Sequence, residues 1–337
     1  MALTTVQAKV RGERGRPIVE TAGLRKTFRS RRRKVVAVEG LDLTVTSGGI
    51  HGYLGPNGSG KTTTIRMLLG LIRPDSGTMS LFGLPVPKGL PRTINRIGAV
   101  VEQPRLFPGI SGRDNLRLLS IAGGIDERRV GEVLELVGLR ERAADRVKGY
   151  SLGMKQRLAL AATLLRDPDL LILDEPTNGL DPAGIREIRE LMRSLADQGV
   201  TILVSSHILS ELQQVVDHVT IINRGRLLAS GPVDQILGES RGGVRLTVAD
   251  LDRATAVLAG QGLAVVRDHE SMLVTGAPEP AHVTRLLAEQ GLYVSSLRPS
   301  GGDLESAFLE ITGEDGASGE HAPSSEPPSP PAGGTSA

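Results

Sequence analysis

The 337-residue chain has no cysteine and no tryptophan, and its aromatics come to three tyrosines and four phenylalanines. Without cysteine there is no disulfide framework, no thiolate-held zinc or iron–sulfur centre and no thiol nucleophile. The scarcity of rings argues against a surface that stacks on nucleic-acid bases, so no nucleic-acid partner is expected. Long apolar runs are missing too. The best stretches, Leu158–Leu165 and Leu170–Leu173, fall far short of the ~20 residues that span a bilayer. The opening MALTTVQAKVRGERG lacks the apolar centre of a secretory signal, and the expectation is a cytoplasmic protein.

Hydrophobic residues make up 39% of the chain and charged residues 23%, within the range of globular proteins. The net charge of +2 conceals an imbalance, because residues 1–34 hold eleven Lys/Arg against two Glu. The densest part is RSRRRK, Arg29 to Lys34. Two readings of this run stay open. One is a solvated hairpin tip, since like charges repel and face water. The other is a basic edge for an anionic ligand or lipid.

Composition divides the chain. Residues 1–16 form a basic arm. Residues 17–239 alternate β-branched runs with helix-period stretches, the pattern of a parallel sheet covered by helices. Within them, residues 104–168 read as a helical insertion. Residues 241–313 form a smaller unit in which LAxQGL occurs twice, at 258–263 and 287–292, each time where a helical stretch gives way to a strand. The order β-α-β-β-α-β is that of a ferredoxin-like unit, followed by a closing amphipathic helix at LESAFLEI. Residues 314–337 contain fourteen Gly, Pro or Ser in twenty-four positions, a composition that cannot offset chain entropy and is expected to be disordered.

The chemistry concentrates in a few segments. GPNGSGKT, Gly55 to Thr62, fits GxxxxGK[ST] between an apolar strand and a helical stretch. Gly55, Gly58 and Gly60 let the backbone of Pro56, Asn57 and Ser59 curl so that N–H groups face phosphate oxygens. The helix beginning near Lys61, Thr62 and Thr63 adds its positive end. Lys61 is expected on the β- and γ-phosphates of ATP, with the Thr62 hydroxyl on Mg²⁺. LLILDEP, Leu170 to Pro176, reads as a buried strand ending in two acids. Asp174 is placed to hold Mg²⁺ through water, and Glu175 to act as general base; by themselves the two acids would equally cap a turn. TILVSSH (201–207) ends in His207 and VVEQP (100–104) carries Gln103. Both follow apolar strands and could reach the phosphates or a water beside the P-loop; by itself the histidine would equally fill or cap, and the glutamine alone carries no signal.

Tyr150 to Asp181, YSLGMKQRLALAATLLRDPDLLILDEPTNGLD, resembles the signature and Walker B region of ATP-binding cassette (ABC) ATPases. The resemblance covers about 25–239, with the motifs in order. It implies a RecA-like P-loop NTPase core with a helical subdomain, and a head-to-tail dimer, of identical or paralogous chains, that sandwiches two ATP molecules. It places Ser151 and Gly153 on the γ-phosphate held by the other subunit's P-loop. Gln103 becomes the glutamine that senses a membrane partner and contacts Mg²⁺, Asp181 the interface aspartate and His207 the switch histidine. Phe28 aligns with the ring that stacks on adenine. The signature departs from the common LSGGQ form: Leu152 replaces a glycine and Met154 a glutamine, which removes one potential hydrogen bond of ~1 kcal/mol across the sandwich. YSxGM signatures, HGYLGPNGSGKTTTIRMLLGLIRPDSG (51–77) and LESAFLEITG (304–313) are similar to those of ABC-2-type exporters of drugs and peptide antibiotics. The expectation is an ATPase subunit on the inner face of the membrane, powering a separate permease. The runners-up are a soluble ABC ATPase acting on ribosomes or DNA, or an importer subunit.

Overall fold

The structure, a computed structural model, describes residues 15–30, 33–101, 106–239, 243–268, 271–277 and 279–300, with Leu304, Ala307 and Phe308. Most of the basic arm, the tip residues 31–32, Gln103 and the expected disordered tail therefore lie outside the described residues.

The chain begins with two long strands, β1 (Pro17–Ser30) and β2 (Arg33–Thr46), and continues through the short buried β3 (Ile50–Leu54) into α1 (Lys61–Leu68). Next come β4 (Ser76–Leu81), β5 (Leu84–Pro85), the single turn α2 (Leu90–Thr93) and β6 (Ile97–Val100). β1, β2, β4 and β5 form their own antiparallel sheet in the order β2-β1-β4-β5. The expectation of one parallel sheet across 17–239 is thus corrected. Only two residues join β1 to β2, and parallel pairing needs a crossover of a dozen or more. The run of basic residues flanks this tight return, with exposed Arg29 and Lys34 facing each other across the pair. Thr21 manages a bulge in β1: its hydroxyl donates to the Leu41 carbonyl (2.8 Å) and accepts from the Leu43 amide (2.9 Å).

The helical insertion is present as α3 (Gly112–Gly123), α4 (Arg128–Leu136) and α5 (Leu152–Leu164). The chain then builds β7 (Leu170–Asp174), α6 (Pro182–Asp197), β8 (Thr201–Ser206), α7 (Leu209–Leu212), β9 (His218–Asn223), β10 (Arg226–Pro232) and α8 (Val233–Glu239). The main sheet runs β10-β9-β3-β8-β7-β6, parallel except for β10. Every residue of β3, β7 and β8 is buried, as expected of strands covered on both faces. Their side chains alternate between two cores. Ile50, Leu54, Leu171, Leu173, Ile202 and Val204 join the helical subdomain and α6 in one. Tyr53, Ile172 and Leu203 join α1 and the antiparallel sheet in the other.

The smaller unit comprises β11 (Gly243–Val248), α9 (Leu251–Gly260), β12 (Ala264–Asp268), β13 (Ser271–Thr275), α10 (Pro280–Glu289) and β14 (Val294–Ser300). Its strands lie in the order β12-β13-β11-β14, all pairs antiparallel, which is the split β-α-β arrangement. The LAxQGL repeat has a local cause. Gly262 and Gly291 take φ +76° and +71° and close both helices with paired return bonds, from the Leu263 and Leu292 amides to the Leu258 and Leu287 carbonyls. This is the Schellman cap, with its leucine-to-leucine contact. The closing segment does not stay with this unit. Leu304 and Ala307 are buried in the first of the two large cores, and the Leu304 amide donates to Gln213 Oε1 just after α7.

At the other end of the main sheet, His51 of β3 stacks on His218 of β9 at 5.0 Å between ring centroids, and its Nε2 is buried without a partner. Burial, reinforced by the His218 ring, pushes the His51 imidazole down to about 4 from the ordinary 6.5, against upward pulls from hydrogen bonding to the Gly48 and Thr46 backbone and, least, from the Asp217 carboxylate. That carboxylate is occupied by Arg193 and the Ile50 amide. The unfolded chain takes up a proton at His51 below pH 6.5 and the folded chain does so only near pH 4. Stability is therefore complete above 6.5 and falls as the pH drops toward 4. Urea denaturation should show roughly 2 kcal/mol of loss at this group between pH 7 and pH 5. In His51→Leu the same interval should show that much less pH dependence.

Candidate functional site

The order β9-β3-β8-β7 places the carboxyl ends of three adjacent strands together, and each delivers part of one site. β3 leads into the glycine-rich loop. The Gly55 amide donates to the Ser206 carbonyl of β8 (3.3 Å), and a Cβ at Gly55 would lie 2.3 Å from the Ile222 carbonyl. Gly60 sits at φ +108° with the Ala37 carbonyl 2.3 Å from where its Cβ would be. Glycine is required at both by close backbone approach. Gly58, also left-handed at φ +80°, faces open space, and it forms an exposed crest with Pro56 and Asn57. The Ser59 amide closes a turn onto the Pro56 carbonyl (3.1 Å), and its carbonyl receives the Gly225 amide (2.9 Å). The buried Ser59 hydroxyl is left without a hydrogen-bond partner. Lys61 opens α1. It is 5% exposed and its Nζ donates to the Gly55 carbonyl at 2.7 Å. Thr62 and Thr63, half-buried, follow in the first turn.

β7 delivers the acids. Buried Asp174 accepts the Ser205 hydroxyl of β8 at 2.6 Å, and the same hydroxyl oxygen accepts the Glu175 amide at 3.0 Å. Glu175 adopts φ +50°, a left-handed conformation that a non-glycine residue keeps only when its surroundings impose it. Its two carboxylate oxygens divide their partners. Oε1 is 3.2 Å from Lys61 Nζ and Oε2 is 2.6 Å from His207 Nδ1, just past β8. An ionised carboxylate at that distance calls for the proton on Nδ1. Lys61, Glu175 and His207 thus form one chain of contacts, with Asp174 fixed beside it.

The remaining expected residues stand apart. Ser151 caps α5, accepting the Met154 amide at 3.2 Å, with Gly153 in the first turn. Asp181 caps α6 through the Gly184 amide at 3.0 Å, ahead of Pro182. Phe28 is 45% exposed on β1, with Lys26 Nζ 5.8 Å from its ring centroid. Among the described residues no hydrogen bond or ion pair joins Ser151, Gly153, Asp181 or Phe28 to the Lys61 chain. Gln103 lies outside the described residues. Sequence reasoning missed Ser205, whose signal was present: two serines end an otherwise apolar strand. It also missed Thr177 and Glu211, whose hydroxyl and carboxylate meet at 2.9 Å between the turn after β7 and the short helix α7.

A glycine-rich loop between a buried parallel strand and a helix, with acids at the end of the next strand but one, defines a P-loop nucleotide-binding cassette. Comparisons carry this to the family. The family profile for ABC transporters matches residues 38–178. The bacitracin transport ATP-binding protein BcrA of Bacillus licheniformis is 40% identical, over 88% of this chain and 97% of its own. The daunorubicin resistance ATP-binding protein DrrA3 of Streptomyces coeruleorubidus is 37% identical, over 83% and 92%. Among solved structures, CbiO1 of Clostridium perfringens, part of the ABC transporter complex CbiONQ, aligns with a TM-score of 0.60 and 27% identity, covering 66% of this chain and 92% of that one. The chain belongs to the ATP-binding subunits of ABC transporters, and it is an ATPase.

Ser205 serves both acids at once. Ser205→Ala should leave Asp174 and the Glu175 amide without it and cost about 1–3 kcal/mol in chemical denaturation. ATP turnover should fall as well, because the turn at Glu175 loses its anchor to β8.

Proposed function

We propose that this chain binds and hydrolyses ATP to drive a separate membrane permease, and that the permease exports a drug, antibiotic peptide or lipid-like compound. The observation that carries the ATPase site is the Lys61–Glu175–His207 chain at three adjacent strand ends. Lys61 neutralises phosphate charge and Glu175 accepts the proton of the water that attacks the γ-phosphorus. His207 holds the Glu175 carboxylate in place. The loop amides from Gly55 to Thr63, and the N-terminal end of α1, cradle the phosphates. Phe28 stacks on adenine at the exposed edge of β1.

The site fits Mg²⁺. Thr62 and Asp174 offer oxygen donors, Gln103 is proposed as a further donor from the sequence alone, and among the described residues no cluster of three His, Cys, Asp or Glu could hold a metal by itself. Two or three protein oxygens with the remainder from phosphates and water is the usual magnesium arrangement. An ion held there by Thr62 and Asp174 would supply positive charge against the negative charge that develops on the phosphates.

Among the described residues no hydrogen bond or ion pair joins Ser151 or Gly153 to the Lys61 chain of their own subunit, which is expected if they complete the site of a second copy. Head-to-tail pairing then sandwiches two ATP molecules, with Asp181 at the interface. No helix among the described residues is long and apolar enough to cross a membrane; a permease on another polypeptide, with this chain on the inner membrane face, is the reading supported by relatives named as transport ATP-binding proteins. A surface for that partner is available on the helical subdomain. Phe107, Leu118, Leu119 and Ile121 are exposed there, beside a groove lined by Val100, Leu106 and Ala162. The names of relatives, for bacitracin transport, daunorubicin resistance and linearmycin resistance, support export of such compounds.

Glu175→Gln should bind ATP and dimerise while turnover drops about 10²- to 10⁴-fold. Wild-type turnover in that variant would remove Glu175 as the base. Lys61→Ala should instead weaken nucleotide binding itself, as read by equilibrium titration with a fluorescent ATP analogue.

A further inference from the structure

The Glu175 turn is held on both sides. Before it, Ser205 anchors the amide of Glu175. After it, the chain bends so that the Asn178 amide reaches the Glu175 carbonyl (3.1 Å) and the Leu180 amide reaches the Thr177 carbonyl (3.1 Å). Thr177, 5% exposed, directs its hydroxyl out of this turn and donates to Glu211 Oε2 at 2.9 Å. Glu211 lies in α7, four residues after His207, and is half-buried. Its backbone is braced from α6, where Arg189 Nη1 donates to the Glu211 carbonyl and to Gln214 Oε1, both at 3.0 Å.

The two loops therefore touch twice. Glu175 meets His207 at one contact and Thr177 meets Glu211 at the other, with two and four residues of backbone closing the ring. We propose that Glu211 is a positioning residue for hydrolysis: by accepting the Thr177 hydroxyl it ties the turn after Glu175 to the segment after His207, and so keeps the carboxylate and imidazole in register. The inference rests on the assignment of Glu175 as base and His207 as its partner.

Two physical points favour a positioning role over a simple helix cap. Glu175 holds a left-handed backbone at φ +50°, a conformation that persists in a non-glycine residue only when its surroundings brace it. The Thr177–Glu211 bond is the side-chain brace on the downstream side of that strain. In addition, α7 is one turn long, so its position against the acid-bearing loop depends on such bonds more than on its own helical hydrogen bonding.

The test is steady-state ATPase kinetics with equilibrium ATP-analogue binding on the full chain, comparing Thr177→Val, Thr177→Ser, Glu211→Ala, Glu211→Gln and the Thr177→Val/Glu211→Ala double variant with Glu175→Gln. Thr177→Val and Glu211→Ala should lower kcat about 10- to 100-fold with KM and ATP binding unchanged. Thr177→Ser keeps the donor and Glu211→Gln keeps an acceptor, so both should recover most of kcat. The double variant should be no slower than the slower single one, since both remove one bond. Unchanged kcat in Thr177→Val overturns the inference, as do serine and glutamine variants as slow as valine and alanine, or effects that multiply. Wild-type turnover in Glu175→Gln would instead overturn the base assignment beneath it. Loss of ATP binding across the Thr177 and Glu211 series would mark a fold defect and reject the positioning role.

Discussion

Backbone pairing between β3, β8 and β7 governs the rest of the molecule. These strands run parallel, in register from Ile50 beside Ile202 and from Leu170 beside Thr201, and both faces are dry. Parallel pairing brings like ends together, so three loops that are far apart in the chain leave the sheet side by side. Lys61, Glu175 and His207 come from those loops, and none has a reason to meet the others except this pairing. Burial then sharpens the chemistry: a nearly enclosed ammonium beside a carboxylate interacts more strongly than the same pair in water.

The site is also where the chain departs from comfortable geometry. Glu175 is one of four non-glycine residues with positive φ among the described residues, and it is the one that bears a catalytic assignment. Its neighbours account for its persistence. A serine on β8 holds its amide, a lysine and a histidine divide its carboxylate, and a threonine two residues on is tied to α7. Strain concentrated at a reacting group and fixed by surrounding bonds is a recurrent feature of functional sites. In this chain much of that fixing comes from Lys61, Ser205 and His207, side chains outside the segment that contains the glutamate.

That last point explains what was legible in the sequence. Gly55–Thr62 and Leu170–Glu175 could be read because their function is encoded in consecutive residues, with spacing set by a single turn or strand. The LAxQGL repeat was legible for the same reason: a left-handed glycine and its two flanking leucines form a local cap. Glu211 could not be singled out, because it acquires its role from Thr177 in a separate segment, and the serine pair that ends β8 marks Ser205 without saying which acid it serves. The antiparallel β2-β1-β4-β5 sheet was missed because its β-branched runs, viewed one at a time, look like those of a parallel sheet. Only the two-residue link between β1 and β2 marked the difference. The closing LESAFLEI segment had amphipathic spacing but no indication of which core would receive it.

The path of that closing segment alters how the small unit should be regarded. The chain leaves the large body after α8, builds the four strands and two helices, and returns to seat Leu304 and Ala307 near Gln213. The unit is thus tied to the large body at both ends. The second tie is made at Gln213, immediately after the short helix that carries Glu211.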